Sequence, residues 1–201
     1  RLPVPLITFE VGQYCCYPDV SIMARYTGAM EPSNFAWIDA DMRRKGIRER
    51  LPEYLAASGD LAMRLYKEDV EAALRTPGLA GFQLLALSDY TGQSTATIGL
   101  LDVFLHSKGI CQPEDFRCFC DAVVPLFKAK RIFTTDEVLE AELGLYDHGA
   151  APLARPRWGV RIDKDGEPFY DVVTEHPHIS VPLDRITSSC RLHVTVTVAG
   201  H

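Results

Sequence analysis

A carboxylate, an amide and two phenols follow one another at the end of the first apolar run of the chain. The run, "PLITF" at residues 5–9, stops at Glu10, and Gln13, Tyr14 and Tyr17 come next in loop-like sequence. A carboxylate held at the end of a buried strand is well placed to act as a nucleophile or base. Tyrosine rings offer flat faces to a sugar ring, and their hydroxyls can bond to its hydroxyls. The alternative for Glu10 is a solvated or salt-bridged side chain.

A second acid stands in the same kind of position. Asp89 follows the apolar run "GFQLLAL" and opens the polar stretch "SDYTGQST". In parallel α/β proteins, functional groups collect where strands end and loops begin. We therefore expect Asp89 to lie on the same side as Glu10, although a loop or capping role would account for it equally well.

The segments between these acids predict how they are positioned. Residues 4–10 and 80–87 are short apolar runs typical of strands buried on both faces. Between them, Ser33 or Asn34 can cap a helix that stops at Gly46, and a long helical pattern continues to residue 76, with a possible cap at Asp60. Further helices are predicted over 97–107 and from Pro113. Strands joined by helices indicate a parallel sheet with covered faces.

The pattern changes after about residue 130. The segments "RWGVRIDKDGEPFYDVVTE" and "SCRLHVTVTVA" alternate between apolar and polar residues, which is typical of strands with one buried face. Asp165-Gly166 supplies a two-residue hairpin turn inside the first of these segments. We predict an all-β module for residues 131–201.

Two stretches resemble the end of the catalytic barrel of glycoside hydrolase family 2, the clan of β-galactosidases, β-glucuronidases and β-mannosidases. In "PLITFEVGQYCCYP" the family's Pro, two apolar residues and Glu-x-Gly are present, and "AGFQLLALSDYTGQSTATIG" begins with the Gly-Phe of the following strand. Two departures are that Val11 replaces the commoner aromatic residue and that the second run lacks tryptophan.

The resemblance implies a fold class and a domain organisation. Residues 1–130 would be the C-terminal portion of a (β/α)8 TIM barrel, comprising its last two strands and helices. Residues 131–201 would be a truncated, immunoglobulin-like β-sandwich. The overall class would be α/β, and we interpret the chain as a piece of a longer protein cut at both ends.

The resemblance also implies an activity. Glu10 would be the nucleophile of a retaining β-glycosidase, and the acid/base glutamate would lie outside these residues, so the chain alone would be inactive. This mechanism requires no metal or organic cofactor. The residues predicted to contact a carbohydrate substrate are Gln13, Tyr14, Tyr17, Asp89 and Gln93. The alternative is a non-catalytic module that binds carbohydrate or protein.

Charge and hydropathy exclude some classes of partner. The formal net charge of −6 disfavours nucleic acid, which requires clustered basic residues. No apolar run approaches the roughly 18 residues of a membrane span. The sequence indicates neither the sugar nor the oligomeric state, and it carries no recognisable targeting signal; the resemblance is compatible with a secreted or periplasmic location.

The remaining candidate metal and redox residues favour plain structural roles. The six cysteines lack the spacing of zinc or redox motifs, as in Cys15-Cys16 and Cys118-x-Cys120, and free thiols are predicted. His176-Pro-His178 reads as a surface loop rather than a metal site, because no acid pair lies near it in sequence.

Overall fold

The chain forms two compact units, Arg1–Arg117 and Cys118–His201. A computed structural model describes residues 4–90 and 96–200. The division falls before the segment in which alternation begins, so the whole of the strand Val123–Ala129 belongs to the second unit.

In residues 4–90 and 96–117, unit 1 contains one pair of strands and one long helix. Strand β1 pairs in parallel with β2, and the intervening helices form the crossover between them. The elements in chain order are β1 (Leu6–Val11), a 3₁₀ turn (Val20–Arg25), α1 (Ser33–Arg44), a second 3₁₀ turn (Arg48–Arg50), α2 (Leu51–Arg75), β2 (Leu79–Leu84) and the short α3 (Pro113–Arg117).

Helix α2 forms because apolar residues recur four positions apart along one face. Ala62, Tyr66 and Val70 are all buried on that face. The predicted cap at Asp60 does not divide the segment, because the helix continues through it. Gly59 lies inside the helix where a Cβ would stand 2.4 Å from the Ile110 side chain, so this glycine permits a close approach.

The C-terminal ends of the helices follow the predicted signals, whereas the cap predicted at Ser33 or Asn34 is wrong, because α1 already begins at Ser33 and no side chain caps it. Helix α1 ends just before Gly46, which adopts φ +67°, and α2 ends at Thr76, whose extended backbone suits a residue preceding proline. A small core of Val20, Phe35, Met42 and Leu51 lies beneath α1 and the N-terminus of α2.

Two predicted helices are wrong. Residues 97–107 form isolated bridges rather than a helix, because Asp102 accepts hydrogen bonds from the N–H groups of Phe104 and His106 and so competes with helical bonding. The helix predicted from Pro113 ends at Arg117, residues 118–122 form turns and bends, and Val123–Ala129 form a strand that begins with two β-branched residues.

Unit 2 consists of two three-stranded antiparallel sheets in the described residues. Their orders are β3-β4-β7 and β6-β5-β8. The strands are β3 (Val123–Ala129), β4 (Val138–Asp147), β5 (Arg157–Lys164), β6 (Glu167–Thr174), β7 (His178–Pro182) and β8 (Leu192–Ala199). A shared core draws on both sheets, with β4 and β7 on one side and β5 on the other.

The predicted hairpin of unit 2 is confirmed. Asp165 and Gly166 join β5 to β6 with φ values of +49° and +94°. Two consecutive positive φ values are the requirement of the two-residue turn that matches the strand twist. The Asp-Gly pair therefore fixes the register of this hairpin.

The predicted fold class is wrong. The described residues hold eight strands in three small sheets and only one long helix, so this part of the chain is β-rich and does not form a partial (β/α)8 barrel. The parallel pair β1–β2 did form as expected from its apolar runs. It remains a two-stranded sheet, however, and most of β1 is exposed rather than buried on both faces.

Candidate functional site

Glu10 occupies an unusual backbone position near the end of β1. Its φ is +59°, a left-handed conformation that residues other than glycine rarely adopt. The strand register shifts between Thr8 and Val11, and Val11 resumes pairing with Leu84 of β2. The chain is thus held on both sides of Glu10, and the intervening irregularity turns this residue outward, where it is exposed.

Gln13 contacts Glu10 directly. Its side-chain Nε2 donates to the Glu10 carbonyl oxygen at 3.2 Å and to the carboxylate Oε2 at 3.3 Å. These bonds tie the carboxylate to the backbone that follows it. Among the predicted site residues, Glu10 and Gln13 therefore form one contacting pair.

The turn after Glu10 is anchored on a buried tyrosine of α2. A Cβ placed on Gly12, whose φ is +83°, would lie 2.0 Å from the Tyr66 ring. Tyr66 donates its hydroxyl to the carbonyl oxygen of Ile98 at 2.6 Å, and burial raises its pKa to about 12. The phenol is thus a permanent donor at neutral pH, and the glycine lets the backbone rest on its ring.

Tyr14 faces α2. Its hydroxyl donates to Asp69 Oδ2 at 2.8 Å, and its ring meets Tyr66 edge to face at 6.0 Å between centroids. Burial, followed by the bond to Asp69, raises the Tyr14 pKa. The hydroxyl predicted to bond to a sugar is engaged with the helix in this structure.

Tyr17 packs on the N-terminal part of α2. Its ring stacks on Tyr54 at 5.2 Å, and its backbone N–H donates to Ser58 Oγ at 2.8 Å. One face of Tyr17 is therefore covered by Tyr54. Together with Tyr14, it fastens the loop after β1 to α2.

Asp89 forms a buried ion pair. Its Oδ1 accepts from Lys108 Nζ at 2.6 Å and from the Gly99 N–H at 2.9 Å, and its side chain is 6% exposed. Burial raises the Asp89 pKa, and the neighbouring Lys108 acts against that shift. Lys108 also donates to the carbonyl oxygens of Thr97 and Gly99, which satisfies its three N–H groups. The Asp89–Lys108 pair therefore links the chain at residues 89, 97–99 and 108.

A second carboxylate lies near this ion pair. Asp102 accepts from Arg25 at 2.6 Å, and the Arg25 guanidinium lies over the Phe104 ring at 4.1 Å. Burial raises the Asp102 pKa, but the N–H groups of His106 and Phe104 together with Arg25 outweigh it, so the pKa is lowered overall.

The Asp89–Lys108 pair and the carboxylate of Asp102 border one cavity of about 120 Å³. Tyr17, Asp89, Asp102, Lys108 and Cys16 are among the residues that line it. Two of the predicted substrate residues, Tyr17 and Asp89, therefore reach a common space, whereas Glu10 and Gln13 are not among its described lining residues.

Gln93 lies outside the described residues, and its role stays a prediction.

Sequence reasoning missed Tyr66 and Lys108, which hold the site together. Helical spacing over Leu61, Leu65, Val70 and Leu74 predicted the helix, but Leu61 is 56% exposed, and the buried face is centred on Tyr66 instead. No motif or spacing around Lys108 indicated that it would pair with Asp89.

No group of three or more potential metal-ligating side chains occurs in residues 4–90 and 96–200. Within the same ranges, every helix is too short or too polar to cross a bilayer. Comparison with protein-family models finds no match to the chain, and comparison with curated proteins finds no relative.

Proposed function

We propose that Glu10 is the nucleophile of a retaining β-glycosidase whose acid/base carboxylate is supplied from outside these 201 residues. The observation that carries the proposal is an exposed carboxylate on a left-handed backbone position, φ +59°, near the end of a strand. The resemblance of the surrounding sequence to glycoside hydrolase family 2 agrees with this role.

The backbone conformation supports a functional role because it is costly. A residue other than glycine in the left-handed region costs on the order of 1–3 kcal/mol, and such residues cluster at functional sites. Glycine would relieve the strain at position 10, as it does at Gly12. A glutamate at a position whose backbone favours glycine indicates that its carboxylate has a function.

The chemistry assigned to Glu10 is a double displacement. A carboxylate oxygen attacks the anomeric carbon, the bond from that carbon to the leaving oxygen breaks, and the external acid donates a proton to that oxygen. The same external group then removes a proton from water, water attacks the anomeric carbon, and the ester bond to Glu10 breaks. The sugar retains its configuration after two inversions.

Gln13 has a positioning role in this proposal. Its amide donates to both the carbonyl and the carboxylate of Glu10, which restricts the rotation of the nucleophile. In this proposal Tyr14, Tyr17 and Asp89 hold the surrounding loops in place through their contacts with α2 and Lys108.

The test is the substitution Glu10→Gln in the full-length protein, assayed on a panel of aryl β-glycosides. Removal of a covalent nucleophile should lower kcat by several orders of magnitude. Glu31→Gln, at another exposed glutamate of unit 1, is the matched control and should leave the rate unchanged.

A chemical rescue distinguishes loss of the nucleophile from loss of the fold. Azide should restore turnover of Glu10→Ala on an activated aryl glycoside, because the small anion fits the vacated space and attacks the anomeric carbon. The product should be a glycosyl azide of inverted configuration. Retention of more than about a tenth of the activity by Glu10→Gln would exclude the nucleophile role and favour a binding module.

A further inference from the structure

Tyr66 of α2 contacts the residues on both sides of Gln13. A Cβ on Gly12 would stand 2.0 Å from Cε1 of Tyr66, and the Tyr14 ring meets the Tyr66 ring edge to face at 6.0 Å between centroids. Gln13 itself donates to the carboxylate of Glu10 at 3.3 Å. The Tyr66 ring therefore supports both neighbours of the residue that restrains the proposed nucleophile.

The hydroxyl of Tyr66 holds this ring in place. It donates to the carbonyl oxygen of Ile98 at 2.6 Å, and the tyrosine is only 1% exposed. A side chain that is bonded at its tip and packed along its length has little freedom to change rotamer. The ring is thus a rigid support for the backbone that rests on it.

The segment that accepts this bond, residues 97–99, is itself fixed from two other directions. Lys108 Nζ donates to the carbonyl oxygens of Thr97 and Gly99, at 3.0 and 2.8 Å. The Thr97 carbonyl oxygen also accepts from the Cys16 N–H at 3.0 Å, and the Thr97 hydroxyl donates to the Cys16 carbonyl oxygen. The segment therefore joins α2, the buried ion pair and the loop after β1.

This support bears on the strained backbone of Glu10. A φ of +59° persists at a glutamate only where the surrounding structure holds it. Val11 is held by its pairing with Leu84. Gly12 follows so close to the Tyr66 ring that a Cβ would overlap it. The path of the chain after Glu10 is therefore set by β2 and by Tyr66 together.

We propose that Tyr66 is a positioning residue for the nucleophile Glu10. It acts through Gly12 and Gln13, because its ring sets the backbone that carries the restraining amide, and its bond to Ile98 fixes the ring. The inference rests on the proposed glycosidase function and adds a residue of α2 to it. Loss of the ring should slow the attack of Glu10 on the anomeric carbon without weakening substrate binding.

A mechanism-based reagent tests the proposal on the full-length protein. The probes are the gluco, galacto and manno forms of a 2,4-dinitrophenyl 2-deoxy-2-fluoro-β-glycoside. A Glu10 oxygen attacks the anomeric carbon and the bond to dinitrophenolate, which leaves without a proton, breaks. The fluorine slows hydrolysis, so the ester to Glu10 accumulates. Mass spectrometry of the digested protein gives the labelling rate constant at saturation and the half-saturating concentration.

Two substitutions separate the ring from its hydroxyl. Tyr66→Leu removes the ring beneath Gly12 and should lower the saturated labelling rate constant about a hundredfold, as expected for a misplaced reacting group. The half-saturating concentration should change by less than about twofold, because binding is not the affected step. Tyr66→Phe keeps the ring and should stay within about threefold of the wild-type rate constant.

Val70→Ala is the matched control for loss of stability. Val70 is 0% exposed and lies one turn beyond Tyr66 on the same face of α2, so its truncation should also lower the unfolding temperature. It leaves the ring beneath Gly12 in place. The labelling rate constant of the folded variant should therefore equal that of the wild type.

A double variant tests whether the contact is direct. Gly12→Ala alone should slow labelling about a hundredfold, because the new Cβ overlaps the Tyr66 ring. In Gly12→Ala/Tyr66→Leu the ring is gone, so the loss should be about that of one single variant rather than the product of the two. Gly12→Ala keeps the bond from Tyr66 to Ile98, and it tests the proposal even where Tyr66→Leu does not fold.

Four outcomes would overturn the proposal. Three of them arise while wild-type Glu10 is labelled: an unchanged rate constant in Tyr66→Leu, an unchanged rate constant with a raised half-saturating concentration, which would make Tyr66 a binding residue, and a Tyr66→Phe variant as slow as Tyr66→Leu. These leave the proposed function standing. The fourth is the absence of label on wild-type Glu10, which would remove the proposed function and this proposal with it.

Discussion

Strands β4 and β1 differ in the burial of their apolar side chains. Leu139 and Leu143 of β4 are 2% and 3% exposed, whereas Ile7 and Phe9 of β1 are 58% and 68% exposed. Both strands are rich in apolar residues, but only β4 alternates them with glutamates. The alternating pattern of β4 specifies one buried face, whereas the continuous apolar run of β1 specifies none.

Alternation therefore carries more structural information than hydrophobicity. A period of two assigns each side chain to a face, and a slip of one residue would bring glutamates into the core, so the register is strongly determined. An uninterrupted apolar run predicts a strand but does not specify what covers it. Unit 2 gains its core from the first kind of pattern, and β1 shows the result of the second.

The largest expected effect concerns the buried ion pair of unit 1. Lys108→Met leaves Asp89 buried without its cation, and should lower the free energy of unfolding by about 3–5 kcal/mol in urea titrations. Lys128→Met of unit 2 removes an exposed partner of Glu142 and should change it by less than about 1 kcal/mol. Equal effects would contradict the structural role assigned to Asp89.

The next prediction tests the difference between the strands directly. Ile162 of β5 is fully buried, and Ile162→Ala should lower the free energy of unfolding by about 2–5 kcal/mol through lost burial and a cavity. Ile7→Ala should cost less than about 0.5 kcal/mol, as for other exposed positions. If Ile7→Ala proved as costly as Ile162→Ala in urea titrations, β1 would be covered in solution, and the comparison would fail.

Glycine substitutions sharpen the account of the turn after Glu10. Gly12→Ala meets the Tyr66 ring and a positive φ together, whereas Gly46→Ala meets only the positive φ because its surroundings are open. In both variants backbone strain should lower the free energy of unfolding by about 1 kcal/mol. In Gly12→Ala, overpacking against Tyr66 should lower it by about 1–3 kcal/mol more. Thermal unfolding measures the difference, and similar losses would show that Tyr66 moves aside.

The smallest effect is a difference in acid sensitivity. The pKa of Asp102 is lowered from its ordinary value of 3.8, so its stabilising contribution is present above that value and is lost as the pH falls toward the folded pKa. Asp102→Asn should therefore flatten the fall in Tm below about pH 4. Glu137→Gln of unit 2 removes a more exposed carboxylate with a lowered pKa and should flatten it less, since salt screens exposed pairs. A larger effect at Glu137 would contradict this order.

Local features of the fold were predictable from the sequence where a single residue type decides the conformation. Gly46, Thr76 before proline, and Asp165-Gly166 marked the ends of α1 and α2 and the hairpin of unit 2. The helix predicted over 97–107 failed because Asp102 bonds to nearby N–H groups, a competition that helical spacing does not reveal. The barrel failed because two apolar strands do not determine how many further strands join them.

Among the contacts of the predicted site residues, only those between residues close in sequence were predictable. The pairing of Glu10 with Gln13 spans three residues, so sequence proximity sufficed to bring them together. The contacts of Tyr14 with Asp69 and of Asp89 with Lys108 span much longer separations. Such contacts depend on how loops cross α2 and each other, which one sequence without a fold cannot specify.

The two-residue turn at Asp165-Gly166 has a consequence for the order in which unit 2 assembles. Strands β5 and β6 can meet on the microsecond scale of hairpin formation, because almost no loop must close. Strand β8 pairs with the other side of β5 only after a longer stretch of chain returns to it. We therefore expect the hairpin to be formed in the folding transition state while β8 is not yet paired. Mutational φ-values from folding kinetics should then be higher at Val172 than at Val196.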